Sequence, residues 1–597
     1  MPPDLDYFHL LAEARNIRSE DSTAGRAKTL RLALLADCAA QHLQPLLRAL
    51  FRRKGVEVEM YEGAFAAIEF EVRNPASALY EFRPEMVLAL HSVQALRDNF
   101  YRRDDSQSFE EEFVQQLTGT WDAITSTSRA LIIQSTFAAP IERFFGNYDR
   151  KINTSFSSTV SRLNSIIVDE ARKRGNVLLL DLDATASWVG RQSWFDERLW
   201  ALGKSLCALE HLPLVAQNIV DVAVAARGQS VKCVVVDLDN TLWGGVVGDD
   251  GPHGIKVGAH GDGEPFFRLQ CFLRELKKRG ILLAVCSKNE RAAALKPFHE
   301  NSEMVLTLDD FVMFVANWDN KPQNIQAIQK DLNIGLDAML FLDDSPFERA
   351  SVRTILPEVI VPELPEDTAE WVKTLTELNL FEVASFSAAD TQRSDLYLQE
   401  ARRRTASETA PNFEAFLESL DMAIEVGRFI PKYLGRIAQL LQRSNQFNLT
   451  TRRHNEAECE TMMRDIDGCI PLYASLRDRF GDHGLISIVI LRPQPDAGVL
   501  AITDWLMSCR VLGRGVEQCL MNYVVTKARE LQLTTVRASY VPTPKNNIVR
   551  DFYGRFGFAK THESADGAAE WALETSSYAE RPALIRYITD EMGATAA

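Results

Sequence analysis

Short apolar runs alternate with amphipathic stretches over the first two thirds of the chain. RLALLAD (31–37) predicts a strand, QHLQPLLRALFRRKG an amphipathic helix ending at Gly55, and VEVEMYEG a second strand. Further apolar runs at 85–91, 129–136 and 176–183 predict strands with helices between them. The same rhythm restarts at VKCVVVD (231–237) and continues with ILLAVCS (281–287), MVLTLDD (304–310) and AMLFLDD (338–344). Strands that alternate with helices and are apolar throughout imply parallel sheets covered on both faces.

PEVIVPELPED (357–367), rich in proline and acid, predicts the exit from the second unit, and a charged helical connector follows. From PNFEAFLESL onward the pattern changes. SLRDRFGDHGLISIVILRP and GVLAITDWLMSCRVLGRG predict antiparallel strands, and EQCLMNYVVTKARELQL predicts one prominent helix after them. The expected organisation is a lead-in at 1–29, α/β domains at 30–228 and 229–367, a connector at 368–410 and a third domain at 411–590.

The bulk numbers narrow this picture. A chain of 597 residues exceeds a single core, and about three to five domains are expected. With 66 basic and 82 acidic residues the net charge is −16, which disfavours nonspecific nucleic-acid binding. No stretch reaches the ~18 apolar residues of a membrane span, and the first residues lack a secretory pattern. The nine cysteines form no CxxC pair, which fits free thiols in a reducing cytoplasm.

The densest chemistry lies where VKCVVVDLDNTLW runs from a buried strand into Asp237 and Asp239, with Thr241 beyond. Two carboxylates at a strand end offer a nucleophile and an acid/base. With a divalent cation they suit phosphoryl transfer. The same motif alone is also a common turn. Later strand ends extend it: Ser287 can hold phosphate, Lys321 in NWDNKPQNI can offset its charge, and Asp343 and Asp344 supply further carboxylates. All fall where an open α/β sheet binds its ligands.

This ordered set resembles the haloacid-dehalogenase-type (HAD-type) phosphotransferases. The resemblance implies Asp237 as nucleophile, Asp239 as general acid/base and Thr241, Ser287 and Lys321 at the phosphate. Magnesium would be held by Asp237, the Asp239 carbonyl, Asp343 and Asp344. DLDNTLWGGVVGDDG, LNIGLDAMLFLDDSPFER, RSNQFNLTTRR and DRFGDHGL together resemble the FkbH-like branch over about residues 30–590. That implies loading of a glyceryl unit from 1,3-bisphosphoglycerate onto an acyl carrier protein, in polyketide or related secondary metabolism or in surface-polysaccharide biosynthesis. A plain phosphatase and a non-catalytic carrier-protein assembly factor are the alternatives.

Acyl transfer also needs a thiol and a place for the phosphopantetheine arm. Arg510, Gly513 and Gly515 form RxxGxG between a predicted strand and a helix. The spacing resembles the pyrophosphate loop of GNAT-type acyltransferases, and VRASYVPTPKNNIVRDFYGRFGF, with Asn546, Asn547 and Tyr553, resembles the same fold. Cys509 is the first candidate thiol and Cys286 its rival. Some relatives carry cysteine between the two aspartates, where this chain has Leu238.

In the first domain Asp37 and Cys38 resemble the GDS block of SGNH-type hydrolases. Asp196 finds Leu199 where the hydrolase base would stand, so hydrolysis is not expected. The fold expected is therefore SGNH-like α/β, then a HAD-type parallel sheet, then GNAT-like α+β. His253 and His260 read as a turn, and Arg402, Arg403 and Arg404 as a solvated face or a surface for an acidic carrier. The amides Asn445, Gln446 and Asn448 either satisfy buried backbone or grip a substrate.

Overall fold

The computed structural model describes residues 5–20, 29–103, 107–386, 399, 412–443, 447–464, 468–508, 511–543 and 546–588. Two compact units result: Met1–Val231 with Pro362–Phe386, and Lys232–Val361 with Ser387–Ala597.

In the first unit, β1 (Leu30–Ala36), β2 (Val58–Glu62), β3 (Met86–Leu90), β4 (Leu131–Ser135) and β5 (Val177–Leu180) form a parallel sheet in the order β2-β1-β3-β4-β5. The lead-in is a packed helix, Tyr7–Glu20, whose Leu10 is fully buried in the core. The segment Pro362–Phe386 also belongs to this unit, so part of the expected connector folds back onto it. Ala384 packs against its core and Asn379 Nδ2 donates to Asp221 Oδ2 at 3.1 Å.

The second unit carries two sheets. β6 (Cys233–Val236), β7 (Leu282–Ser287), β8 (Met313–Ala316) and β9 (Met339–Leu342) are all parallel, in the order β8-β7-β6-β9. Every residue of β6, β7 and β9 is buried, which explains the unbroken apolar runs of their sequences. One element differs from the sequence reading. The third strand is Met313–Ala316, whereas MVLTLDD lies before it, with Leu308–Asp310 a 3-10 turn. Thr307 and Asp310 close a capping box there, and that local bonding outcompetes the strand.

The chain passes from β6 to β7 to β8 on one side and then crosses to β9 on the other. β6 and β9 therefore flank the point where the winding reverses, the crevice at which open α/β sheets bind ligands.

The other sheet holds β10 (Met422–Arg428), β11 (Ile470–Asp478), β12 (Gly481–Gln494), β13 (Val499–Met507), β14 (Thr535–Tyr540), β15 (Ala559–Glu563), β16 (Ala569–Glu574) and β17 (Ile585–Tyr587). Their order is β15-β16-β14-β13-β12-β11-β10-β17. Neighbours from β10 to β13 are antiparallel, β13 and β14 are parallel, and helix Val516–Glu530 links that pair. This is the GNAT-like topology. Among the described residues no helix is long and apolar enough to cross a membrane.

Candidate active site

The loop after β6 turns back at once. The amides of Thr241, Leu242 and Trp243 all point to the Leu238 carbonyl, and Asn240 takes a left-handed φ of 53°. Asparagine tolerates that conformation better than most residues. The turn leaves Asp237 at the strand end and swings Asp239 to the loop side. Three donors then fix the Asp239 carboxylate: Trp243 Nε1 at 2.9 Å and Val247 N at 3.0 Å on Oδ1, and Asn289 Nδ2 at 2.7 Å on Oδ2. Neither Trp243 nor Asn289 was singled out in the sequence, because neither belongs to a strand-end carboxylate pattern.

Asp343 and Asp344 follow β9 directly. Ser345 caps the next helix, Pro346–Ile355, and its own amide donates to Asp343 Oδ1 at 2.9 Å. Arg349 donates to the main-chain carbonyls of both aspartates, at 2.8 and 2.7 Å, which fixes their backbone. Lys321 begins helix Lys321–Leu332, capped by Asn320, and reaches across to this point. Its ammonium lies 3.1 Å from Asp237 Oδ1 and closer still to Asp343 Oδ2. Asp237, Lys321 and Asp343 are 6%, 3% and 0% exposed.

Burial costs a charged group far more than it costs the neutral one. It pushes the Asp237 carboxyl up to about 6, with Lys321 opposing and Asp343 adding to the rise. Burial likewise raises Asp343 and Asp344. For Lys321 burial acts against the charge, but Asp237 and Asp343 more than offset it and its pKa is raised.

Oxygens of Asp237, Asp343 and Asp344 lie within 4.8 Å of one another, and among the described residues this is the single group that could hold a metal ion. Three carboxylates against one ammonium leave an excess of negative charge in a dry place. Asp237 Oδ1 is buried with the Lys321 ammonium 3.1 Å away. An all-oxygen donor set with more carboxylates than one ammonium can neutralise fits a hard divalent cation.

The expected residues do not all play matching parts in the geometry. Ser287, 2% exposed, ends β7 and its hydroxyl opposes the rise in the Asp237 pKa. Thr241 is fully buried and its hydroxyl is spent on Asp344, accepting from its amide at 3.0 Å and lying 3.4 Å from Oδ1. It therefore holds a carboxylate rather than facing a phosphate. Cys286 is fully buried; burial pushes its thiol up to about 12, with Lys321 opposing. It is a neutral core thiol.

Cys509, Arg510, Asn445, Gln446 and Arg402 to Arg404 lie outside the described residues. Gly513 and Gly515 have φ of 74° and 92° ahead of helix Val516–Glu530, and Glu517 Oε1 accepts from the Gly513 amide at 2.9 Å. Asn546 is fully buried and its amide is committed internally: it accepts from Thr543 N and Tyr540 OH and donates to the Asn448 and Val541 carbonyls. It braces the sheet and has nothing left for an arm. Asn547 opens a short 3-10 turn. Tyr553 is 1% exposed, and its hydroxyl has no hydrogen-bond partner among the described residues.

In the first unit Asp37 accepts from Ser92 N at 2.7 Å and lies 3.3 Å from His91 Nδ1, a partner missed in the sequence. Cys38 is buried, and burial with Asp37 beside it raises its pKa well above the thiol range. Asp196 caps helix Glu197–Gly203 by accepting from Leu199 N at 2.9 Å. His253 and His260 are exposed in a loop and take no part in the carboxylate group.

The sheet, its switch-point carboxylates and the buried lysine define a HAD-type domain. Residues 31–224 match the family described as FkbH, N-terminal domain. The N-terminal part of the protein BF1531 from Bacteroides fragilis, containing a phosphatase domain complexed with Mg, is 34% identical. The match covers 64% of this chain and 100% of that one, with a TM-score of 0.59. The chain belongs to the FkbH-like family. Two acetyltransferase structures are also similar. The ribosomal-protein-S18-alanine N-acetyltransferase from Escherichia coli is 12% identical over 27% of this chain and 98% of its own, with a TM-score of 0.20. Ard1 from Thermoplasma volcanium is 18% identical over 26% and 97%, with a TM-score of 0.21. There is no match among the curated proteins.

Proposed function

We propose that this protein is a magnesium-dependent enzyme that dephosphorylates 1,3-bisphosphoglycerate and loads its glyceryl group onto the thiol of an acyl carrier protein. The observation that carries this reading is the set of buried Asp237 and Asp343 and half-buried Asp344 around Lys321 at the switch point between β6 and β9. The magnesium-bound phosphatase domain of the Bacteroides protein supports it.

Asp237, Asp343 and Asp344 would hold magnesium, which when bound supplies positive charge against the phosphate oxygens. Lys321 and Ser287 orient the phosphate beside Asp237. A carboxylate oxygen of Asp237 attacks phosphorus, a P–O bond forms, and the bond to the leaving oxygen breaks. Asp239 gives that oxygen its proton, then takes one from the water that hydrolyses the aspartyl phosphate and releases orthophosphate. The three donors on Asp239 hold its carboxylate ready for both transfers.

The acyl half is separate chemistry. A thiolate attacks the acyl-phosphate carbon, the C–S bond forms, and orthophosphate leaves with the C–O electrons. Cys286 and Cys38 are buried neutral thiols and unsuited to this. Of the candidates named above, Cys509 and the carrier's own thiol remain.

The test is intact-mass spectrometry with magnesium, 1,3-bisphosphoglycerate and phosphopantetheinylated carrier. Glyceryl-carrier should form with wild type and not with Asp237→Asn. Phosphate release with no thiol adduct would instead mean a plain phosphatase. Product formation supported by Asp237→Asn would mean a non-catalytic assembly factor. Loading at the normal rate by Cys509→Ala would assign the acceptor role to the carrier alone.

A further inference from the structure

Four cations stand within seven residues past the ends of β6, β7, β8 and β9: Lys288, Arg291, Lys321 and Arg349. Three are committed. Lys321 is buried between Asp237 and Asp343. Arg349 donates to the main-chain carbonyls of Asp343 and Asp344. The Arg291 guanidinium donates to the Phe314 carbonyl at 2.6 Å and lies over the Phe314 ring. Lys288 differs. It pairs with one carboxylate, Glu348 Oε1 at 2.6 Å, and its side chain is 36% exposed.

The sheet fixes where that pair lies. β7 and β9 flank β6, Lys288 directly follows β7, and Glu348 is in the first turn of helix Pro346–Ile355 after β9. The ion pair therefore bridges from one side of β6 to the other, past the strand end that carries Asp237. Val236 pairs with both Val285 and Leu342, so Asp237 is level with Cys286 and Asp343. Lys288 is two residues beyond that level, at most ~7 Å of extended chain. Its neighbours face the same aspartates. Ser287 acts on Asp237, and Asn289 Nδ2 donates to Asp239 Oδ2 at 2.7 Å. Lys288 is thus a charge at the rim of the site with its side chain partly in water.

A partly exposed ion pair is weak and gives way to a stronger partner. A phosphate dianion is such a partner, with more charge and more acceptor oxygens than a carboxylate. One phosphate at Asp237 is answered by Lys321, Ser287 and the metal. A second phosphate on the same substrate would meet Asp239, Asp344 and Glu348 unless a cation receives it, and Lys288 is the one of the four that can be released.

We propose that Lys288 determines specificity for a second phosphate: it leaves Glu348 and binds the phosphate that Asp237 does not attack. Glu348 makes the choice selective. A ligand with one phosphate leaves the ion pair intact and gains nothing from Lys288, whereas a short bisphosphorylated acid replaces the pair with a stronger contact. Lys288 touches no breaking bond, so it acts on binding and not on the chemical step. The inference rests on the reading that the substrate is 1,3-bisphosphoglycerate.

The test is titration calorimetry with magnesium on the full chain carrying Asp237→Asn. The stable probes are 2,3-bisphosphoglycerate and 3-phosphoglycerate, which differ by one phosphate. That chain should bind the bisphosphate at least tenfold tighter. Adding Lys288→Met should erase the preference, and Lys288→Arg should keep most of it. Glu348→Gln should enlarge it at least threefold, a gain that misfolding cannot mimic. Binding of neither probe, equal affinity for the two, a preference that survives Lys288→Met, or one that Glu348→Gln lowers would each overturn the proposal. With Asp237 intact, Lys288→Met should raise KM for 1,3-bisphosphoglycerate at least tenfold and change kcat less than threefold; a loss confined to kcat would also overturn it. Carrier loading is measured alongside. A Lys288-dependent preference without loading would leave the second-phosphate role standing and remove the loading reading. Loading by a chain whose preference ignores Lys288 would do the reverse.

Discussion

Lys321→Met tests the electrostatic reading of the site most directly. Methionine keeps most of the stem's apolar contact and removes the ammonium. In the wild type that ammonium lies 3.1 Å from Asp237 Oδ1 and nearer to Asp343 Oδ2, with both carboxylates almost wholly out of water. Removing one partner of a buried pair costs about 3–5 kcal/mol, because the remaining charge stays desolvated. The loss has a definite pH dependence. Asp237 is already raised to about 6 with Lys321 present, and Lys321 acts to lower it, so the variant's carboxyl lies higher still. A carboxyl raised above its unfolded value binds more protons in the folded state, so stability falls as pH rises through the interval between the two values. The penalty in the variant should therefore be full at pH 8 and shrink towards pH 5, where the carboxyls take up protons instead. Hydrogen exchange of the β6 and β9 amides without metal reports this locally, and the β13 and β14 amides serve as the internal control. The expected change at pH 8 is roughly 10²–10⁴-fold faster exchange, the equivalent of that free energy. An equal loss at both pH values would mean that stem packing, not charge, is what matters, and no loss at all would refute a buried ion-pair centre.

Three further outcomes are expected. Asp343→Asn or Asp344→Asn should raise the magnesium concentration needed for half-maximal phosphate release by about tenfold or more, since each removes an anionic donor from the set; an unchanged magnesium titration would exclude that residue as a ligand. Asn289→Ala takes one of the three donors from Asp239 and should lower kcat about 10–100-fold with little change in KM, because a misoriented acid/base harms the step rather than binding; a change confined to KM would contradict it. Asn546→Ala leaves the Asn448 and Val541 carbonyls and the Thr543 amide unpaired in a buried place, and unfolding of the C-terminal sheet should be easier by about 2–4 kcal/mol. A neutral result in denaturant melts would show that water satisfies those groups.

The sequence by itself determined the strand ends. A parallel strand buried on both faces must be apolar throughout, so a carboxylate, hydroxyl or lysine placed after such a run stands out against it. Asp237, Ser287, Asp343 and Asp344 were legible for that reason, and Lys321 through the helix start it occupies. The strand before Lys321 was misplaced, because a capping box and a short apolar run share the composition of MVLTLDD. Only the tertiary structure decided which groups meet. Asn289 on Asp239, Thr241 on Asp344 and Arg349 on both closing carbonyls depend on how loops from different strands converge, and no spacing encodes that. The same holds for RSNQFNLTT. Among its described residues the Asn448 side chain accepts from the Thr451 amide, but the place of Phe447–Leu449 beside β13 follows from β13 and β14 diverging after a few pairs, a consequence of sheet twist and register acting over distant parts of the chain.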